Sequence, residues 1–128
     1  MSKDRIYRVG VQAEFSAAHF HGGAAESCRR LHGHNYRVEV EIASPTLENG
    51  MVIDFGEVRK RLGEAVDGWD HRVLNEVGEF AGTEPTTEVI SQRLYDRLAG
   101  AFPGPAELCR VTVWETGDCW ASYGAAPE

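Results

Sequence analysis

An alternating pattern at residues 36–42 constrains the fold of this 128-residue chain more than any other feature. Apolar side chains alternate there with charged ones, and the apolar set is Tyr36, Val38, Val40 and Ile42. A period of two predicts a strand with one buried face. Upstream, His32 and His34 share the parity of the apolar set. If the strand extends back through Gly33, both imidazoles point to its buried side and can bind one metal ion.

Two imidazoles are too few for a catalytic zinc site, which usually has three protein ligands and a fourth position for water or substrate. An earlier alternation predicts a strand that starts at Tyr7 and passes into a loop between Phe15 and His19. Either His19 or His21 can supply the third imidazole, and spacing alone does not choose between them. The sequence therefore predicts a zinc centre built from two separate strands.

Cys28 lies close to these histidines and has two interpretations. As a fourth ligand it would complete a structural zinc site. As a free thiol beside the ion it would be a base, because a nearby cation stabilises a thiolate. The three cysteines show no Cys-x-x-Cys spacing, which favours the base. An isolated His-x-His is usually a solvated pair, but the additional histidine and cysteine favour a metal site.

Composition limits the class of protein. The net charge of −7 disfavours nucleic acid and anionic membranes as main partners, because like charges repel. No apolar run resembles a signal peptide or a membrane span, and the separated cysteines do not suggest disulfides, so a cytoplasmic location is expected. With 42% hydrophobic residues, the chain is expected to form a single domain, residues 1–128.

Two helices and two further strands complete the expected fold. The helices are predicted at 54–68 and 85–100, and the strands at 108–115 and 119–123. The first helix is expected to bury Phe55, Val58, Leu62 and Ala65. Strands, then helices, then strands predict an α+β domain in which an antiparallel sheet carries both helices on one face.

Two motifs surround the predicted metal site: Phe15-Ser16-Ala17-Ala18-His19, and Cys28 followed after three residues by His32-Gly33-His34-Asn35-Tyr36. Together they resemble the family of 6-pyruvoyltetrahydropterin and 6-carboxytetrahydropterin synthases, and the resemblance runs from Val11 to Tyr123. The short gap after Cys28 is similar to that of the carboxy-type bacterial enzymes. The resemblance implies that Cys28 is the catalytic base. It implies that the zinc ligands are His19, His32 and His34.

The stretch from Trp69 to Asn75 contains Asp70-His71, which resembles the Asp-His motif of the same family. The resemblance implies that Asp70 orients His71 as a proton donor and that the pair completes an acid–base set with Cys28. From the residues alone, a capping aspartate beside an exposed histidine explains the pair equally well.

Glu115, within Val113-Trp114-Glu115-Thr116, matches the glutamate that anchors the pterin ring in this family. A carboxylate can accept both N–H donors of a 2-amino-4-oxopyrimidine edge. Thr86 and Thr87 match the second contact with the ring. Without the resemblance, Glu115 would be a solvent-facing strand end and the threonines ordinary helix-start residues. The usual asparagine before Pro85 is replaced by Glu84.

The resemblance implies a zinc-dependent lyase that converts 7,8-dihydroneopterin triphosphate to 6-carboxy-5,6,7,8-tetrahydropterin, acetaldehyde and triphosphate, in queuosine or another 7-deazapurine pathway. It also implies the tunnelling fold, whose barrel forms by oligomerisation, expected here as a homo-hexamer of two trimers. The alternatives are a pyruvoyl-type synthase, which keeps the three-carbon side chain, and a non-catalytic zinc-stabilised binding module.

Overall fold

The structure is a computed structural model and describes residues 5–23 and 25–126. Its five strands form one sheet in the order β3-β1-β2-β4-β5. The strands are β1 Tyr7–His19, β2 His32–Ser44, β3 Arg72–Val73, β4 Glu107–Trp114 and β5 Trp120–Gly124. Strand β3 pairs parallel with β1, and the other neighbours pair antiparallel. The expected α+β class is confirmed, although the parallel edge strand was not predicted.

The long antiparallel pairing of β1 with β2 forms the centre of the sheet. Its register places Phe15 opposite Tyr36, and their rings stack with centroids 5.0 Å apart. The same pairing continues until His19 lies opposite His32. The expected loop between Phe15 and His19 was therefore wrong, because hydrogen bonds to β2 hold these residues in a strand. The expected extension of β2 back through Gly33 is confirmed.

Two helices pack against the sheet, α2 at Phe55–Asp67 and α3 at Thr87–Leu98, after a four-residue α1 at Glu26–Arg29 that was not predicted. Asp54 caps α2 as expected, since its side chain accepts a hydrogen bond from Gly56 N at 2.7 Å. Helix α2 contacts β1, and α3 contacts β4 and β5. Phe55 is 49% exposed at the end of the apolar stripe of α2, so its expected burial was wrong.

The connection between α2 and α3 is held to the core by Trp69. This side chain is fully buried, packs against Phe80 at a centroid distance of 5.1 Å and donates a hydrogen bond from Nε1 to Glu79 at 2.8 Å. Its burial fixes the backbone immediately before Asp70 and His71. Within residues 5–23 and 25–126, none of the helices is long and apolar enough to cross a membrane.

Candidate metal centre and active site

Three imidazoles converge at the end of the β1–β2 pairing. His19 ends β1, while His32 and His34 stand at alternate positions at the start of β2 and so share one face. One ring nitrogen of each side chain lies within 4.8 Å of the other two. His19 is fully buried, and the other two are partly buried. The structure thus brings together the three histidines that were expected to bind zinc.

Hydrogen bonds to backbone carbonyls fix the tautomer of two of these histidines. The Nδ1 atom of His19 lies 2.7 Å from the carbonyl oxygen of Pro85. The Nδ1 atom of His32 lies 2.8 Å from the carbonyl oxygen of Arg30. Because a carbonyl only accepts, each Nδ1 carries the proton and each Nε2 keeps its lone pair. The Nε2 atom of His34 is buried and forms no hydrogen bond with any residue the structure describes.

This donor set fits a divalent metal ion. A buried polar atom without a hydrogen bond is costly, and an ion bound at His34 Nε2 would remove that cost. Imidazole nitrogens oriented by carbonyl groups are typical of zinc sites. The binding of zinc itself stays a prediction.

Burial favours the neutral form of two of these imidazoles. Desolvation lowers the pKa of His19, although the hydrogen bond to Pro85 opposes the effect. Desolvation likewise lowers the pKa of His34, against the attraction of the Glu115 carboxylate. Burial also raises the pKa of the neighbouring Tyr36, so its hydroxyl stays protonated at neutral pH. Neutral imidazole is the form that binds a metal ion.

Glu115 lies beside the histidines, one residue beyond β4. Its Oε1 atom is 3.5 Å from His34 Nε2 and 3.6 Å from His19 Nε2. The Thr87 hydroxyl donates a hydrogen bond to the same oxygen at 3.1 Å. The side chain of Glu115 is 28% exposed, so a ligand can still reach it. Thr86 caps α3 instead, because its hydroxyl accepts a hydrogen bond from Val89 N at 3.3 Å.

Asp70 and His71 form a second cluster at the edge of the sheet. Asp70 accepts a hydrogen bond from Ser16 N at 2.9 Å, and its other carboxylate oxygen lies 3.0 Å from His71 Nδ1. His71 adopts a left-handed φ of 59°, which is uncommon for a residue other than glycine. The Ser16 hydrogen bond, followed by the one to His71, lowers the pKa of Asp70. The carboxylate can therefore hold the imidazole by its Nδ1 atom, and the role of the pair in proton transfer stays a prediction.

Cys28 carries a free thiol in α1. Its sulfur does not belong to the group of candidate metal ligands found in the described ranges, which does not support a fourth, structural thiolate ligand. Its carbonyl accepts a hydrogen bond from His21 N at 2.9 Å. No hydrogen bond or ion pair between described residues joins Cys28 to Asp70 or His71. The acid–base set of three residues stays a prediction.

His21 lies near the candidate metal centre but does not belong to its group of three nitrogens. Its ring centroid is 5.4 Å from that of His19 and 6.5 Å from that of His32. The group within 4.8 Å contains His19 instead, the member of the pair that the family resemblance implied. Position on β1 makes the difference, because His19 pairs directly with β2 whereas His21 lies beyond the strand.

Sequence reasoning missed two residues that hold the backbone near the site. The Asn75 side chain both donates to Phe20 O and accepts from Phe20 N, each at 2.9 Å. The Glu84 carboxylate accepts a hydrogen bond from Gly22 N at 2.8 Å. No periodic pattern marks a side chain that binds distant backbone. The one available signal was the replacement of the usual asparagine by Glu84.

Comparison with known proteins decides the family to which this site belongs. Residues 8–126 match the family model described as 6-pyruvoyl tetrahydropterin synthase. The chain belongs to the 6-pyruvoyl tetrahydropterin synthase family. A protein of Archaeoglobus fulgidus named putative 6-carboxy-5,6,7,8-tetrahydropterin synthase is 41% identical over 113 residues, or 88% of this chain and 91% of that protein.

Two further members of the family extend the comparison. A Pyrococcus furiosus protein named dihydroneopterin monophosphate aldolase is 33% identical over 108 residues, or 84% of this chain and 89% of that protein. The structure of Caenorhabditis elegans 6-pyruvoyl tetrahydropterin synthase matches 98% of this chain and all of that chain, with a TM-score of 0.83 and 26% identity. The expected tunnelling fold is confirmed, and the family match places the chain among the tetrahydropterin synthase-like proteins of pterin metabolism.

Proposed function

We propose that this chain is a zinc-dependent carbon–carbon lyase, a 6-carboxy-5,6,7,8-tetrahydropterin synthase. It converts 7,8-dihydroneopterin triphosphate and water to 6-carboxy-5,6,7,8-tetrahydropterin, acetaldehyde and triphosphate. The name of the Archaeoglobus fulgidus relative and the three-residue gap between Cys28 and His32 support the carboxy type.

The observation that carries the proposal is the position of Glu115 against the three imidazoles. A carboxylate oxygen 3.5 Å from His34 Nε2 and 3.6 Å from His19 Nε2 brings a pterin anchor and a metal centre to one place. The Glu115 carboxylate accepts the N–H donors of the pterin ring, and Thr86 and Thr87 supply the second contact with it. When bound, zinc acidifies the C–H and O–H bonds beside the substrate's side-chain oxygen.

The protein residues carry the protons. Cys28 takes a proton from the substrate side chain, and His71, oriented by Asp70, returns one. Triphosphate then leaves, and oxidation of the side chain offsets reduction of the ring. Water adds to the carbon attached to the ring, the bond to the next carbon breaks, and the two remaining carbons leave as acetaldehyde. The retained carbon becomes the carboxylate, so no redox cofactor is required.

The proposal includes an assembly in which neighbouring copies complete each site. The His71 side chain is 81% exposed, which leaves its ring free to reach a second copy. Strands β3 and β5 are the outer strands of the sheet, and open edges of this kind are favourable for pairing between chains. We propose a homo-hexamer of two trimers, with a barrel formed between subunits. We place it in the cytoplasm, in queuosine or another 7-deazapurine pathway.

The mass of the product tests the proposal. The zinc-loaded protein is incubated with 7,8-dihydroneopterin triphosphate, and the pterin product and acetaldehyde are measured. A carboxylated pterin with equimolar acetaldehyde is expected. A product that keeps three side-chain carbons would replace the proposal with the pyruvoyl type.

A second arm uses 7,8-dihydroneopterin monophosphate, because one relative is named for an aldolase acting on dihydroneopterin monophosphate. Preferential cleavage of the monophosphate would reject the proposed substrate. Tight zinc binding without any pterin-induced rise in melting temperature would favour the non-catalytic binding module.

A further inference from the structure

The backbone of residues 20–22, directly after His19, is held by side chains from other parts of the chain. Asn75 binds both backbone groups of Phe20, at 2.9 Å each. Gly22 lies two residues after Phe20, and its backbone N donates a hydrogen bond to the Glu84 carboxylate at 2.8 Å. The intervening His21 N donates to Cys28 O at 2.9 Å. The backbone of residues 20–22, which follows a candidate metal ligand, is therefore fixed at successive points, and His21 joins it to the candidate base.

The Glu84 carboxylate lies close to the backbone of Gly22. A Cβ atom at Gly22 would lie 3.8 and 4.0 Å from the two carboxylate oxygens of Glu84. The carboxylate therefore lies directly against this backbone. A hydrogen bond with a charged acceptor is stronger than one between neutral groups, so the contact can hold a loop in place.

Glu84 also begins a short stretch, residues 84–87, that reaches three parts of the site. The Pro85 carbonyl accepts from His19 Nδ1 at 2.7 Å, and the Thr87 hydroxyl donates to Glu115 at 3.1 Å. Glu84 itself binds the backbone of Gly22, in the connection between His19 and Cys28. One stretch at the start of α3 thus holds the metal ligand, the pterin anchor and the loop of the base.

From these contacts we propose that Glu84 is a positioning residue for the reaction. It binds Gly22, and through the His21–Cys28 backbone hydrogen bond it fixes the thiol of Cys28 relative to the three imidazoles. The inference rests on the proposed role of Cys28 as the base. It assigns a function to the carboxylate that stands where the family resemblance predicts asparagine.

The test compares Glu84→Ala with Glu84→Gln in the zinc-loaded protein. Removing the acceptor is expected to lower kcat by about 10- to 100-fold, because small misplacements of reacting groups have effects of this order. KM and zinc content should stay within about twofold of the parent, because the ligands and Glu115 keep their own contacts. Glutamine retains an oxygen that can accept from Gly22 N, so Glu84→Gln should recover most of the lost kcat.

Two measurements report on the loop without requiring turnover. Hydrogen exchange at Gly22 should lose its protection in Glu84→Ala, since the amide has lost its acceptor. Alkylation of Cys28, followed by peptide mass, should become faster. Glu64→Ala is the matched control, because Glu64 is exposed on α2 and has no side-chain partner among the described residues. It should match the parent in every measurement.

The two loop measurements also separate this inference from the proposed function. If dihydroneopterin triphosphate is not converted at all, exchange at Gly22 and alkylation of Cys28 still decide the role of Glu84. Unchanged exchange and alkylation in Glu84→Ala would overturn the inference. So would a loss of zinc together with activity, which would mean that Glu84 acts through His19. A variant that loses exchange protection but keeps full kcat would overturn it as well.

Discussion

The Nδ1 atom of His19 lies 2.7 Å from the carbonyl oxygen of Pro85, within the buried end of the β1–β2 pairing. This hydrogen bond fixes the tautomer of the ring and turns its Nε2 atom towards the other two histidines. It also connects the candidate metal centre to the start of α3. The geometry of the site therefore depends on helix packing as well as on the sheet.

Replacing His32 with alanine should abolish stoichiometric zinc binding. The chain would lose one of three ligands, so zinc affinity should fall by more than the ~10- to 100-fold typical of losing an outer hydrogen-bond partner. Metal analysis after dialysis and competition with a chelator provide the measurement. His21→Ala is the control and should keep its zinc, since His21 lies outside the group of three nitrogens. If His21→Ala lost its zinc and His32→Ala kept it, His21 and not His32 would be the ligand.

Metal-free protein should lose stability as the pH falls below 6.5, which is the ordinary pKa of a histidine side chain. Burial lowers the pKa values of His19 and His34 in the folded chain, so the unfolded chain binds more protons in the window just below 6.5. Stability therefore rises with pH through that window. Chemical unfolding of the metal-free protein across this range measures the effect. The slope of the free energy of unfolding against pH should be smaller in His34→Gln. An unchanged slope would contradict the lowered pKa of His34 in the folded chain.

Asp70→Asn should reduce turnover while leaving zinc bound. An amide can present its NH2 group to His71 Nδ1 and favour the wrong tautomer, so the loss of kcat should lie within the ~10²- to 10⁴-fold range of general acid–base catalysis. Steady-state kinetics and metal content provide the measurement. Asp67→Asn, at the exposed end of α2, is the control. Full activity of Asp70→Asn would remove the pair from the mechanism.

Cys28→Ala should retain stoichiometric zinc and its fold but lose turnover. The reason is that Cys28 lies outside the group of three nitrogens and is proposed only as the base. Metal analysis, melting temperature and product formation are measured on the same sample. Cys119→Ala, which removes an exposed thiol, is expected to behave like the parent. Joint loss of metal and fold in Cys28→Ala would support the structural-zinc interpretation instead.

Thr87→Val should weaken substrate binding by about tenfold or more, since hydrogen bonds to charged groups contribute ~1.5–3 kcal/mol. The valine cannot donate to Glu115, so the pterin anchor loses the contact that orients it at 3.1 Å. KM, or the dissociation constant of a non-reacting pterin, measures the change. Thr87→Ser keeps the hydroxyl and should bind nearly as well as the parent. Equal weakening in both variants would point to packing as the cause.

Much of the sheet could be predicted, because its strands have one buried face and show it as a period of two. The alternation of residues 36–42 predicted β2, and parity placed His32 and His34 on one face. Strand β3 could not be found in this way. It consists of Arg72 and Val73 alone, is too short to show a period, and is defined by its pairing with Ala17 and Ala18.

The site could be predicted only as far as its residues share a strand or a motif. Asp70 and His71 are neighbours in sequence, and the turn that joins them also brings their side chains together. The contact of Glu115 with Thr87 crosses 28 residues and depends on how α3 packs against β4. No local pattern carries that information. The attachment of Gly22 to Glu84 was missed for the same reason.

Because His19 lies opposite His32, a metal ion bound by the three histidines would report on the alignment of two strands. A slip of one residue between β1 and β2 would reverse the side-chain faces and separate the three nitrogens. Chains that fold with shifted strands would therefore fail to retain the ion. The fraction of molecules that hold a metal ion in a purified sample should therefore equal the fraction whose strands are correctly aligned, and it can be measured before any pterin is added.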